Sequence, residues 1–378
     1  MIYSPMTSTD YLLRIESLKK NMSKESIDLF LAFGDAWRSG NCRYLTGVKP
    51  SRSMMPNPQV GRGLEMITIP LDGDPTLWII DYEVEWTKRE LAAATRGGEA
   101  WMEVKPWSKL GPSLKSLGSS AKKVVLDGKQ IIPLPVYEII RQSIGHEVNE
   151  TAILDLQRRV KTKNEIKIME VASNINDKIC EELIRGIVRY GVSEKEVERK
   201  IEAIGASMGA DKVDANFMIS HEAAWGHATD ATVDNGDLLS LHVILGYEGY
   251  GSDNDRVFGF GNVSSSDKEL AEICVQSFNN GLKAVRPGVK GSDVFQAIKN
   301  TSPLAAANPW TGGHGIGLDG EELGHISEWT LEEGNTFCLH GGARRDETTW
   351  VTEDVVVVTG NGGRSLTKFP RDYVISYG

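Results

Sequence analysis

Gly236-Asp237-Leu238-Leu239-Ser240-Leu241-His242, leading to Ser252-Asp253-Asn254-Asp255-Arg256, is the stretch whose reading decides the fold. An apolar run of strand length ends on one titratable side chain among hydrophobic neighbours. The form recurs twice downstream: His340 follows Phe337-Cys338-Leu339, and Glu353 precedes Val355-Val356-Val357-Val358. Between them, Gly312-Gly313-His314-Gly315-Ile316-Gly317 sets a histidine among glycines. A half-buried imidazole or carboxylate must be paired, hydrogen-bonded or metal-bound, or it shifts its pKa and neutralises. Several of them converging from separate strands make a site.

Around this stretch the chain after residue 212 reads as strands with glycine turns, interrupted by a helix over 267–285 and a shorter one near 292–299. Pro287-Gly288 ends the longer helix. Upstream, Ile166, Met169, Ala172, Ile175, Ile179, Leu183 and Ile187 keep steps of three or four, which predicts a helix over 163–190 with Gly191 as its stop. A second helix is expected over 194–208, with Ser193 as N-cap. The first 150 residues form a small α/β layer. Apolar runs at 27–33 and 122–127 have strand length, and the runs 64–70 and 76–80 straddle Asp72-Gly73-Asp74, a hairpin signal. Amphipathic helices are expected over 11–20 and 84–94. A polar, charged stretch places a boundary near 150, so the expected domains are 1–150 and 151–378.

The chain has 378 residues, with 42 Lys and Arg against 52 Asp and Glu, a net charge of −10. That balance opposes nucleic-acid and anionic-membrane partners. No apolar stretch approaches the ~20 residues of a membrane span, and no signal peptide is recognisable. The four cysteines, Cys42, Cys180, Cys274 and Cys338, lie far apart without a CxxC pair, which suits reduced thiols in the cytoplasm. Cys338 reads as a small buried hydrophobe. No strand–GxGxxG–helix order, GxSxG or Walker sequence is present.

The order of these segments resembles the creatinase/prolidase/methionine-aminopeptidase (M24, pita-bread) superfamily. The 236–242 and 250–256 segments are similar to its first metal-site hairpin, and Gly313-His314-Gly315-Ile316-Gly317-Leu318 resembles its glycine-flanked histidine motif. The strands through Gly334-Asn335-Thr336-Phe337 and Glu353-Asp354-Val355 resemble those of its last two ligands. Arg159-Val160-Lys161-Thr162-Lys163-Asn164-Glu165-Ile166 looks like the start of its first long helix. Asn41-Cys42-Arg43-Tyr44-Leu45-Thr46-Gly47 looks like the N-terminal domain of the creatinase and prolidase branch, and Leu366-Thr367-Lys368-Phe369-Pro370 like the creatinase tail. The resemblance implies an α+β chain: a creatinase-like N-terminal α/β domain followed by a C-terminal pita-bread domain.

The departures are equally informative. The metallopeptidases use Asp, Asp, His, Glu and Glu for two metal ions; the matching positions here are His242, Asp253, His314, His340 and Glu353. Exchanging two carboxylates for imidazoles removes two negative charges from the site and points to one divalent transition metal, Zn, Fe, Mn or Ni. A metal-free site is the other reading, because creatinase resembles the family without its metals. His227 matches the histidine that creatinase uses as general base and acid, and Glu321 stands where the family has its second active-site histidine. Arg62 matches an arginine that holds the substrate carboxylate from the neighbouring subunit of a dimer. His325 stands nearest the position of the second such arginine, and Asp255 matches a glutamate that holds a cationic substrate group. Asp255 paired with Arg256 is the structural alternative.

The resulting expectation is a cytoplasmic, homodimeric hydrolase acting on a small-molecule substrate, cleaving a C–N bond in a small polar amide, amidine or urea-type compound. A metal-dependent lyase, an Xaa-Pro-type dipeptidase and a non-catalytic binding protein are the alternatives on the same scaffold.

Overall fold

The computed structural model describes residues 6–35, 38–48, 57–93, 100–129, 132–219, 226–320, 322–372 and 374–376. The chain divides into two units, Met6–Arg158 and Arg159–Gly378.

In the first unit the apolar runs form β1 (Leu29–Asp35), β2 (Leu64–Pro70), β3 (Thr76–Ile79), β4 (Glu103–Pro106), β5 (Val124–Asp127) and β6 (Val148–Glu150). They lie in the order β4-β3-β2-β1-β5-β6. The expected hairpin is present: β2 and β3 pair antiparallel, Met66 opposite Trp78, across a turn in which Gly73 takes φ 150. Strand β1 is buried along its whole length, which explains its uninterrupted apolar run. Helices α1 (Ser8–Lys24), α2 (Gly40–Thr46), α3 (Val84–Ala93), α4 (Leu110–Ser120), α5 (Leu134–Ile144) and α6 (Ile153–Arg159) accompany the sheet. Leu31, Phe33, Met66, Trp78, Leu114 and Ile140 share one core.

The second unit opens on α7 (Lys163–Glu182), capped by Thr162, whose Oγ accepts from the Glu165 N–H while the Glu165 carboxylate accepts from the Thr162 N–H. The helix expected to reach Tyr190 stops short. After Glu182 it widens through Leu183–Ile187, where Gly186 takes φ 125, a conformation that ends an α-helix. Helix α8 (Glu194–Ser207) starts on the expected Ser193 cap. Helices α9 (Ser265–Ala284), α10 (Gly291–Lys299) and α11 (Pro303–Ala306) follow.

The remaining strands are β7 (Lys212–Ile219), β8 (Leu238–Tyr247), β9 (Tyr250–Phe260), β10 (His314–Gly315), β11 (Glu322–His325), β12 (Thr336–Arg345), β13 (Thr348–Thr359), β14 (Gly362–Ser365) and β15 (Val374–Ser376). They make one curved path, β11-β10-β12-β13-β9-β8-β7, with β14 on β13 and β15 on β9. Phe337 and Leu339 of β12 and Val356 and Val358 of β13 pack against Phe278, Val294 and Ile298 of α9 and α10. Strand alternation therefore turns Cys338, His340, Glu353 and Val355 toward the other face.

The segment after β14 is pinned by buried charges. Arg256 donates to the Phe369 and Pro370 carbonyls, and Asp177 accepts from the Lys368 and Phe369 N–H groups. Among the described residues no helix is long and apolar enough to cross a membrane.

Candidate active site and metal centre

Strand register builds the site. His340 stands opposite Glu353 across β12 and β13, Glu353 opposite Asp255 across β13 and β9, and Asp255 opposite His242 across β9 and β8. Residues directly opposite in antiparallel pairs share a face, and adjacent strands lie ~4.8 Å apart. The four side chains thus form one row across the sheet. Asp253, two residues before Asp255 on β9, shares their face.

His314 joins from β10. The glycines around it are required by the close approach of the chain. Gly313 takes φ 149, and a Cβ there would strike the Cys338 carbonyl, while one on Gly315 would strike the Glu322 carbonyl.

The polar atoms converge. His242 Nε2 lies 2.6 Å from Asp253 Oδ1 and 3.7 Å from Glu353 Oε2. His314 Nε2 lies 3.9 Å from both Asp253 Oδ2 and Glu353 Oε1. His340 Nε2 is 3.0 Å from Glu353 Oε1 but out of line for a hydrogen bond, and neither atom has a hydrogen-bond partner among the described residues. His314 and His340, whose rings meet edge to face at 80°, share one hydrogen-bond pattern. Each donates from Nδ1 to a backbone carbonyl, Gly315 at 3.2 Å and Trp310 at 3.1 Å. That leaves Nε2 directed at the carboxylates, the arrangement that fixes the tautomer of a metal-binding histidine.

The electrostatics follow from burial and proximity. Burial opposes a charge on Glu353, but His340, His242 and His314 hold its carboxyl well below the usual range. Burial likewise opposes the His242 imidazolium, and the Asp253 carboxylate overrides it, pushing the group up to about 10. Asp255 is fully buried, and burial lifts it to about 7 although His242 and the Ser240 hydroxyl, donating at 2.7 Å, favour its charge. Its second oxygen has no hydrogen-bond partner among the described residues.

His242, Asp253, His314, His340 and Glu353 are thus brought together, with Asp255 beneath them in the row. Arg256 does not pair with the Asp255 carboxylate. Successive strand residues face opposite ways, and Arg256 meets Asp354 at 2.6 Å instead. His325 stands opposite His314 in register and packs edge-on against Phe295, with ring centroids 4.6 Å apart. Burial, and then His340 and His314, lower its pKa, which places it at the rim of the cluster. His227 is exposed, next to the Gly226 bridge to Phe217, and no hydrogen bond or ion pair joins it to the cluster among the described residues. Glu321 lies outside the described residues. Its neighbour Glu322 is buried, accepting from Lys161 Nζ at 2.7 Å and from the Leu318 N–H at 2.7 Å. Arg62 belongs to the first unit, where its backbone pairs with that of Asn57.

Cys338, read from its apolar neighbours as a small buried hydrophobe, is fully buried in the core, and its sulfur also stands among polar side chains. Donor atoms of Asp253, His314, Cys338 and Glu353 all lie within 4.8 Å of one another. The signal was present in the alternation that puts Cys338 on the face of His340. Two carboxylates, an imidazole with a directed Nε2 and a thiol, three of the four residues buried, fit a divalent transition ion.

Comparison with known proteins gives the chain its relatives. A family model described as metallopeptidase family M24 matches residues 167–360. An Xaa-Pro dipeptidase of Pyrococcus furiosus is 28% identical over 372 residues, covering 95% of this chain and 99% of that protein. An Xaa-Pro dipeptidase of Pyrococcus horikoshii is 25% identical over 375 residues, covering 96% and 98%. The solved prolidase from Pyrococcus horikoshii OT3 superposes with a TM-score of 0.82 at 24% identity, covering 96% of this chain and 100% of that one. The expected architecture, an N-terminal α/β domain followed by a pita-bread domain, is therefore the one present.

Proposed function

This chain belongs to metallopeptidase family M24, and from that premise we propose that it is a metal-dependent dipeptidase that hydrolyses short Xaa-Pro-type peptides. It is a hydrolase acting on C–N bonds. The observation that carries the finer reading is the likeness to Xaa-Pro dipeptidases along essentially the full length of both chains, in a chain that gathers metal-capable donors at one place. This favours a peptide over the small amide, amidine or urea expected from the exchanged ligands.

Asp253, His314 and Glu353 would hold a divalent ion, which would supply Lewis acidity toward the scissile carbonyl and a lowered pKa for water. The chain's own groups do the rest. His242 fixes the Asp253 carboxylate through its 2.6 Å contact, and His340 sets its imidazole against Glu353. His227, exposed and reachable by a substrate, carries protons between water and the leaving nitrogen. Arg62, with a planar fork suited to a carboxylate, holds the C-terminal end of the substrate across a homodimer.

The test is turnover by the purified chain, dialysed against chelator and reloaded with Zn, Mn, Fe or Ni. The panel is Xaa-Pro dipeptides, dipeptides without proline, and creatine. Release of free proline only after metal is restored supports the proposal. Turnover of creatine alone, or turnover unaffected by chelator, overturns it.

A further inference from the structure

We propose that Cys338 is a ligand of the metal, so that the ion is held by a mixed set of two carboxylate oxygens, one imidazole nitrogen and one sulfur: Asp253, Glu353, His314 and Cys338. The inference rests on the metal-dependent reading above and deepens it, because neither the family set of oxygens and imidazole nor the five residues aligned with it contains sulfur.

The geometry carries the assignment. Four donors bound tetrahedrally at about 2.0–2.3 Å from a common ion stand ~3.3–3.8 Å apart. The four donor atoms here lie within 4.8 Å of one another, so closure by at most about 1.5 Å, within reach of side-chain rotation, brings them round one ion. Glu353 Oε1 is a buried carboxylate oxygen without a hydrogen-bond partner among the described residues, and it lies 3.9 Å from His314 Nε2. Cys338 reaches that space because β12 is in register with β13: His340 faces Glu353, and Cys338, two residues earlier, stands opposite Val355 on the same side.

The other three cysteines differ. Cys274 donates to the Trp350 carbonyl at 3.1 Å, Cys42 lies 3.6 Å from the Ala32 carbonyl, and Cys180 accepts from Asn254 at 3.8 Å. Their sulfurs are taken up by backbone or amide groups, whereas the sulfur of Cys338 is grouped with two carboxylates and an imidazole.

Chemically, a thiolate softens the site. The Cys338 thiol gives its proton to solvent as the metal–sulfur bond forms. Sulfur favours Zn²⁺ and Co²⁺ over Mn²⁺ and Mg²⁺, which prefer all-oxygen or oxygen-rich sets. With Cys338 bound, His242 is a positioning residue that fixes the Asp253 carboxylate through its 2.6 Å contact, and His340 stands 3.0 Å from the Glu353 carboxylate beside the ion.

The experiment uses the full chain stripped with chelator and titrated with Co²⁺. The expected result is one equivalent bound with a sulfur-to-cobalt charge-transfer band in the near ultraviolet. The band is lost in Cys338→Ser, with Co²⁺ still bound at least ~10-fold more weakly, and kept in Cys274→Ser. X-ray absorption of the zinc-loaded parent chain is expected to show one sulfur at about 2.3 Å, a reading that stands even where Cys338→Ser fails to fold. Stoichiometric Co²⁺ without the band, or a band that survives Cys338→Ser, overturns this inference and leaves the proposed function intact. Failure of the parent chain to bind Co²⁺ or Zn²⁺ at all overturns both.

Discussion

Asp253 and Glu353 divide the work between them. Asp253 engages His242 with one oxygen and turns the other toward His314, while Glu353 faces three imidazoles. Different losses are expected when each arrangement is cut. Glu353→Gln keeps the shape and removes the charge, so metal affinity falls by more than ~100-fold. His242→Asn removes only the group that steadies Asp253, and outer partners of this kind are worth about 10–100-fold in affinity. Competition with a chromogenic chelator measures both; equal losses in the two variants would show that His242 binds the ion itself. At this scale the sequence was most readable where a polar side chain interrupts an apolar strand, as at His242, His340 and Glu353. It was least readable at Cys338, because cysteine is as common in a core as valine and its neighbours Phe337 and Leu339 are core residues. Alternation puts Cys338 on the side of His340, and the partner strand's register then shows what it faces there.

Among the elements, the loop from His314 to β11 is held by the pair of Lys161 and Glu322, whose side chains are 2% and 3% exposed. Glu322 also fastens the Leu318 N–H, so the pair sets the path of the chain that follows the histidine. Removing one member of a buried ion pair leaves the other uncompensated and costs about 3–5 kcal/mol. Lys161→Met is therefore expected to lower the urea midpoint and weaken metal binding together. Adding Glu322→Leu should restore much of the stability but not the affinity, because the loop still lacks its anchor. Recovery of both would reduce the pair to a stability feature. The helices of this unit were legible from spacing, and one from its cap, Ser193; Thr162 and Ser264 are N-caps of the same kind that the structure adds. The end of α7 was not. The apolar steps continue past Glu182, and only the backbone of Gly186, at φ 125, shows that the helix has already opened.

At the scale of the whole chain, the excess of ten acids is an average that local burial overrides in both units. In the first unit Asp127, at the end of β5, accepts from Asn41, which in turn accepts from Arg158. Burial, and then Asp155, push its carboxyl up from the ordinary 3.8 to about 7. The folded state therefore holds a proton that the unfolded chain releases. The resulting stabilisation is fully present below pH ~4 and is lost as pH rises through about 7, by up to ~4 kcal/mol. Asp127→Asn should flatten that decline, so its stability relative to the parent rises between pH ~4 and ~8 in urea unfolding. A constant difference across the range would refute it. In the second unit a different global property decides function. The row from His340 through Glu353 and Asp255 to His242 is a product of register, and the main chain is indifferent to which side chain occupies each place. An imidazole can replace a carboxylate at His242 or His340 with every ladder hydrogen bond intact, so the chemistry of such a scaffold is free to drift by single substitutions. One residue inserted in β12 or β13 would instead turn half the row to the opposite side of the sheet. The lineage of such a protein is therefore expected to be rich in exchanges at these positions and nearly empty of insertions between them.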